Sequence, residues 1–339
     1  MHIPDNYLSP QTATLMTAIM VPVWGVSIHK VRKQMTQESV SKIGIGGAYS
    51  FIGMMFNIPI PGGTTGHAVG GTLIAATLGP HAACLAVTVA LLLQALIFGD
   101  GGILAFGANC FNMAFVMPFV GYYISKLVRK LLKFKAGDIV SVAIGSYFGI
   151  NAASLMAAIE FGVQPYLFKD AAGQAMYCPY GLNVSIPAMM IAHLTVAGLA
   201  EVIYTVLVYS FLKKASNQKF YLEKDFSRSA KEIGDDSVKE KKDFSWILLL
   251  VLMILTPLGL LAEGTAWGEW GADEIAATGA GFTPKGMTEG INFEAMIPDY
   301  SMAGLPDIAA YILSAIIGVA LTVVIFKLIS LTHKKRVEE

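Results

Sequence analysis

Residues 81–98 read HAACLAVTVALLLQALIF, with no aspartate, glutamate, lysine or arginine. A helix that crosses a bilayer needs about 20 mostly apolar residues, and this run has that character. Outward from it, further apolar runs occupy Leu8–His29, Ile43–Ile60, Ala68–Leu78, Ile103–Leu127, Asp138–Phe161, Asn183–Leu212, Phe244–Ala262 and Pro306–Leu331. Of the 339 residues, 55% are hydrophobic and 14% charged, where a soluble domain carries roughly 25% charge. The 24 basic and 24 acidic residues cancel, which argues against a nucleic-acid binder and against an acidic tail protein. Cys84, Cys110 and Cys178 lie in or beside apolar runs without CxxC spacing, so they form neither a disulfide framework nor a zinc site. The fold class expected is an all-α polytopic membrane protein.

Basic residues stay on the cytoplasmic side of a membrane. With the N-terminus outside and a real turn at Gly79-Pro80, nine spans place all but Lys169 and Lys285 of the 24 basic residues inside. Merging Ala68–Leu78 with the following span would put consecutive basic loops on opposite faces. The reading is therefore N-terminus outside, C-terminus cytoplasmic. Residues 1–212 form a seven-span domain. Residues 213–243 are charged and read as a solvated cytoplasmic linker. Residues 244–339 form a two-span module with an acidic outer segment, Glu263–Leu305. Glycines inside the spans, such as Gly44, Gly46, Gly47, Gly53, Gly66, Gly70 and Gly71, read as packing surfaces between helices. No alternation is long enough for a barrel.

The chain opens Met-His-Ile-Pro-Asp-Asn, without the basic and apolar regions of a secretory leader. The expectation is a mature protein starting at Met1, since His2 is too bulky for ordinary methionine removal. A histidine in second position offers the terminal amine, its own backbone amide once deprotonated, and an imidazole nitrogen, nearly in one plane. A nitrogen from His67 would close a square of four, which suits Ni(II) or Cu(II) better than zinc. His67 follows Pro61-Gly-Gly-Thr-Thr-Gly66, and such a glycine-rich loop can dip to membrane depth where protein covers it. Taken singly, a second-position histidine is usually incidental and a glycine-rich loop usually a turn. His29, His333 and His81 read as solvated or interfacial groups at cytoplasmic span ends. His193 and Glu201 share one broad helix face, and two readings stand for them: a functional intramembrane pair or an interior hydrogen bond. No phosphate-binding GxxxxGK[ST], HExxH or GxSxG motif occurs, so neither ATP hydrolysis nor enzyme chemistry is expected of this chain. Nor do broken helices recur in matching halves.

The opening Met1-His2-Ile3-Pro4-Asp5-Asn6-Tyr7-Leu8-Ser9-Pro10 resembles the start of the substrate-capture subunits of cobalt/nickel energy-coupling-factor (ECF) transporters, the CbiM/NikM type. Gly63-Thr64-Thr65-Gly66-His67 with Gly70-Gly71 resembles their second motif, and Phe106-Gly107-Ala108-Asn109 with Asn112-Met113 a third; together they cover about residues 1–212. The family usually has glycine where this chain has Asn6, and commonly serine in place of Thr65. Asparagine tolerates glycine-like backbone angles and threonine keeps the hydroxyl, so neither change removes a proposed ligand. The stretch 264–274, Ile297-Pro298-Asp299-Tyr300 and the last span look like the two-span CbiN/NikN companion, here fused in one chain, and this second match is looser.

The resemblance implies that Met1, His2 and His67 bind the metal. It implies uptake of Co(II) or Ni(II) for cobalamin synthesis or nickel enzymes, without a resident cofactor. A membrane coupling (T) subunit and cytosolic ATPase (A) subunits would supply the energy, and the companion module would promote loading or release of metal at the outer face. Pro4 and Asp5 would shape the inward turn of the N-terminus. Asp5, Thr65, Asn109 and Asn112 are candidates for orienting the ligands, with packing as the other reading for the two asparagines. Two rivals keep the membrane fold: a vitamin-binding capture subunit, and a proton-coupled metal carrier using His193 and Glu201.

Overall fold

The computed structural model describes all residues except 35, 36, 133, 135, 216–219, 228–244, 292 and 339. It is mostly helical. In chain order the helices are α1 (Pro10–Gln34), α2 (Gln37–Met55), α3 (Gly71–Leu78), α4 (Pro80–Leu93), α5 (Phe106–Asn109), α6 (Met117–Leu131), α7 (Gly137–Leu167), α8 (Leu182–Ala192), α9 (Gly198–Ala215), α10 (Tyr221–Ser227), α11 (Ser245–Leu255), α12 (Lys285–Glu289) and α13 (Asp307–Glu338). Wider π-helical turns, Gln94–Phe98, Cys110–Val116 and His193–Ala197, extend α4, join α5 to α6 and join α8 to α9. A short hairpin pairs β1 (Ile58–Ile60) with β2 (Thr64–Gly66), with Ile58 opposite Gly66 and Ile60 opposite Thr64.

Among the described residues, six helical stretches are long and apolar enough to cross a membrane: Pro10–Lys33, Pro80–Phe98, Phe106–Leu131, Gly137–Leu167, Leu182–Ala215 and Asp307–Thr332. The expected span Ala68–Leu78 is reduced to α3, whose 8 residues reach only about 12 Å. It is a half-helix, capped before by Gly70 (φ 71°) and broken from α4 by Gly79 (φ 97°). The expected span Ile43–Ile60 ends early, because Ile58–Ile60 has left the helix for the hairpin. The hairpin turn uses Gly62 and Gly63 at φ 103° and 80°, angles that residues with a Cβ avoid.

Small residues let the helices close up. A Cβ on Gly121 of α6 would collide with the Thr72 hydroxyl of α3, and one on Gly149 of α7 would lie 2.8 Å from the Met117 carbonyl. The same device joins the end of the chain to its beginning: Gly44 and Gly47 of α2 lie against Phe326 and Thr322 of α13.

The expected solvated linker begins otherwise. Phe220 and Leu222 are buried, and Tyr221 of α10 packs edge-on to Tyr122. Lys213 pairs with Asp138 and with Glu223 at 2.8 Å. The apolar side chains of α10 found a place under the bundle; most of the remaining linker lies outside the described residues, as do the side chains of His333 and its basic neighbours.

Candidate metal centre

The N-terminal residues are threaded into the protein. Met1, His2, Ile3, Tyr7 and Leu8 are all buried. Asn109, at the end of α5, grips Ile3 from both sides: its Oδ1 accepts from the Ile3 amide at 2.8 Å and its Nδ2 donates to the Ile3 carbonyl at 3.0 Å. Asp5 accepts from the Leu104 amide at 2.7 Å, which ties the turn to the loop before α5. Asn6 has φ 66°, the glycine-like angle that its residue type tolerates. Its amide group bonds the Ile291 backbone in both directions, at 3.0 and 3.2 Å, which a glycine could not do.

This turn brings His2 to His67. Their rings stack with centroids 4.9 Å apart and planes 29° from parallel. Both Nε2 atoms are buried without a hydrogen-bond partner. His67 leaves β2 and enters the loop before α3, where its Nδ1 sits 3.3 Å from the Ala68 carbonyl. Burial, then the nearby His2 and terminal amine, push the His67 imidazole well below the usual histidine range. The Met1 amine lies 2.8 Å from Glu269 Oε1. His2 Nδ1 lies 2.9 Å from Asp100 Oδ1. Asp100 Oδ2 in turn accepts from Gln94 Nε2 at 3.1 Å and from the Tyr300 hydroxyl at 2.5 Å. Burial alone would raise the Asp100 carboxyl; the His2 imidazole, by charge and hydrogen bond, then His67 and Tyr300, bring it below the usual carboxylate range.

Among the described residues no three His, Cys, Asp or Glu side chains form a metal-holding group. Beside the two imidazoles, the terminal amine and the His2 amide are the main-chain nitrogens adjoining His2 in the chain. Such a chelate has one further constraint. Of the two imidazole nitrogens of His2, only Nδ1 is near enough to its own amide to close a small ring, and in this structure Nδ1 faces Asp100.

The other candidate residues divide. Asn109 holds Ile3, the residue after His2, and Asp5 holds the turn. Asn112 instead donates to Glu160 at 2.7 Å. Thr65 stands on β2 opposite Pro59, and among the described residues no hydrogen bond joins its hydroxyl to either histidine; its neighbour Thr64 accepts from the Trp267 amide at 2.7 Å. The His193–Glu201 pair does not form. His193 Nδ1 bonds the Met189 carbonyl at 2.8 Å, whereas Glu201 accepts from the Val69 and Gly70 amides at 2.7 and 3.1 Å and from Thr205. Both rotate away because each finds a nearer backbone partner. Glu201 thus fixes the loop that carries His67, through the two amides just before α3.

Asp100, Gln94, Glu269 and Tyr300 were not legible as part of this site. The signal for Asp100 was its loop, Gly99-Asp100-Gly101-Gly102, in which Gly99 and Gly101 take φ 70° and 87°. A Cβ on Gly101 would stand 3.3 Å from the His2 ring.

The chain is similar to known proteins over nearly its whole length. Residues 2–218 match the family model described as the cobalt uptake substrate-specific transmembrane region, CbiM, and residues 241–335 match the PDGLE domain. The chain is 49% identical to the probable fused nickel transport protein LarMN of Lactiplantibacillus plantarum, across 96% of this chain and 97% of that protein. It is 42% identical to the fused nickel transport protein NikMN of Rhodobacter capsulatus, across 95% of each. A crystal structure of a transition metal transporter aligns at TM-score 0.61 and 56% identity, covering 68% of this chain and 100% of its own.

Proposed function

The chain belongs to the CbiM family, carries a PDGLE domain behind it, and is a cobalt or nickel transport component rather than an enzyme; from that premise we propose that it captures the ion at the outer face of the cell membrane as the substrate-specific component of an ECF-type transporter. The ion is cargo, bound by the Met1 amine, the His2 amide and imidazole, and His67. The observation that carries this reading is the stacking of two buried histidines, 4.9 Å apart, beside the terminal amine. Nitrogen donors in that number favour Ni(II) geometry, and the full-length relatives named above are named for nickel. Energy would come from separate T and A subunits, in keeping with the missing phosphate-binding motif. Glu201 is engaged by the Val69 and Gly70 amides and His193 by the Met189 carbonyl, which supports the capture reading over the proton carrier.

The test is Ni(II) and Co(II) binding by purified protein. His2→Ala removes the imidazole that closes the chelate ring with the His2 amide. The expected result is loss of at least about 100-fold in affinity there and in His67→Ala, since second-shell changes alone already cost 10–100-fold at metal sites. Binding unchanged in both variants would exclude the four-nitrogen site.

A further inference from the structure

Glu160 of α7 is a carboxyl group inside the bundle that the proposed ligand set does not use. It is 7% exposed, and Asn112, on the π-helical turn Cys110–Val116, is fully buried. Asn112 Nδ2 donates to Glu160 Oε2 at 2.7 Å. The two other atoms of this pair, Glu160 Oε1 and Asn112 Oδ1, are buried without a hydrogen-bond partner. An ionised carboxylate in that position would be a buried charge with half its acceptors bare, which is costly in a bundle and more so in a membrane.

No cation stands by to neutralise it. Among the described residues no lysine, arginine or histidine pairs with Glu160. Helix α6 runs antiparallel to α7, with Gly149 against the Met117 carbonyl and Gly145 against the Gly121 carbonyl. Lys126, Arg129 and Lys130 therefore lie toward the opposite end of α7, and Glu160 is about four turns beyond Gly145. The facing turn brings Cys110 as its titratable group, α3, α5 and α8 bring none, and the charges of α1 begin only at His29. Tyr7 packs edge-on to Phe161 and gives its hydroxyl to the Trp270 carbonyl. On the α8–α9 arm, His193 and Glu201 are engaged by backbone groups.

One proton resolves both bare atoms. An un-ionised acid and a primary amide close a ring of two hydrogen bonds: the amide N–H donates to one acid oxygen, and the acid O–H donates to the amide oxygen. The first bond is present, and the two unpartnered atoms are the two that the second would join. We propose that Glu160 binds a proton on Oε1 and shares it with Asn112 Oδ1, forming an acid–amide clamp that holds the turn Cys110–Val116 to α7. The clamp lies between two anchors of the N-terminal segment. One turn before Asn112, Asn109 grips Ile3. One turn after Glu160, Gln164 accepts from the Ser9 amide at 3.0 Å and donates to the Glu160 carbonyl at 2.9 Å. Glu160 is thus a positioning residue, and the inference does not depend on the four-nitrogen reading.

The experiment is infrared spectroscopy of the full chain in detergent at neutral pH, as the difference between the parent and Glu160→Gln. The parent should show the C=O stretch of an un-ionised, hydrogen-bonded carboxylic acid, moved to lower frequency by deuterium exchange, and the variant should lack it. Glu160→Gln can close the same ring through its amide and should keep the parent's thermal midpoint, whereas Glu160→Ala should lower it by several degrees. Asn112→Ala should keep the acid band but move it to the higher frequency of an acid without an acceptor. If Glu160→Gln does not fold, that shift decides alone. Carboxylate bands in place of the acid band overturn the proposal, and their movement on adding sodium, potassium or magnesium would assign the two oxygens to a metal cation instead. An acid band unmoved in Asn112→Ala, or equal loss of midpoint in Glu160→Gln and Glu160→Ala, also overturns it.

Discussion

At the scale of single residues, the candidate centre depends on groups outside the proposed ligand set. Glu201 is fully buried and accepts two amide hydrogens from the loop behind His67. Replacing it with alanine leaves those donors unpaired, at about 1–3 kcal/mol each, and frees the loop. Glu201→Ala should therefore lower the thermal midpoint in detergent and weaken Ni(II) binding about tenfold. Glu201→Gln keeps an acceptor oxygen in the same place and should recover most of both. Equal damage from the two variants would instead assign the role to the charge. Asn6 shows the other side of residue-scale design, since one side chain meets a left-handed backbone demand and also ties the N-terminal turn to Ile291.

At the scale of elements, the half-helix α3 is the piece on which the site is mounted. It is too short to span a membrane, so it must be covered by protein; Glu201 holds the loop before it and the turn at Gly79 follows it. Its sides are held by close approach to α6 and α7 through Gly121 and Gly149, both of which meet Thr72. A Cβ at Gly121 collides with Thr72, and overpacking of this kind costs about 1–3 kcal/mol, occasionally more. Gly121→Val should shift the purified protein from a single size-exclusion peak to aggregate, and adding Thr72→Ala should restore part of the peak. The π-helical turns fall beside the site as well: Gln94 opens one and Asn109 immediately precedes another, in line with their frequent appearance at functional positions.

At the scale of the molecule, the centre is shared by two regions distant in sequence. The last helix packs on α2 across Gly44 and Gly47, and the segment around Glu269 covers the N-terminus. These contacts do not pass through the linker. Residues 1–218 and 241–339 expressed as two chains should therefore co-purify through a tag on either one, and Gly47→Leu, which would drive its side chain into Thr322 and the Ala86 carbonyl, should separate them. Failure of the unmodified halves to associate would make the covalent link the main tie.

Much of this was legible in sequence. Apolar runs and the distribution of lysine and arginine carry a membrane fold on their face, because bilayer thickness and charge placement act on composition directly. His2 beside the terminal amine offers a local set of donors, readable from two residues, on which the proposed site rests, and Asn6 declares its backbone angle by its type. Partners brought together from afar were not readable. Asp100, Glu269 and Tyr300 are ordinary polar residues in loops, and nothing local says that they converge on Met1 and His2. The pairing expected of His193 and Glu201 failed for the same reason: helical spacing puts two side chains on a face, but the nearest backbone donor or acceptor, set by packing across the bundle, decides where each one turns. Covalent neighbourhood and periodicity are properties of the chain, whereas competition among hydrogen-bond partners is settled only when the helices have met.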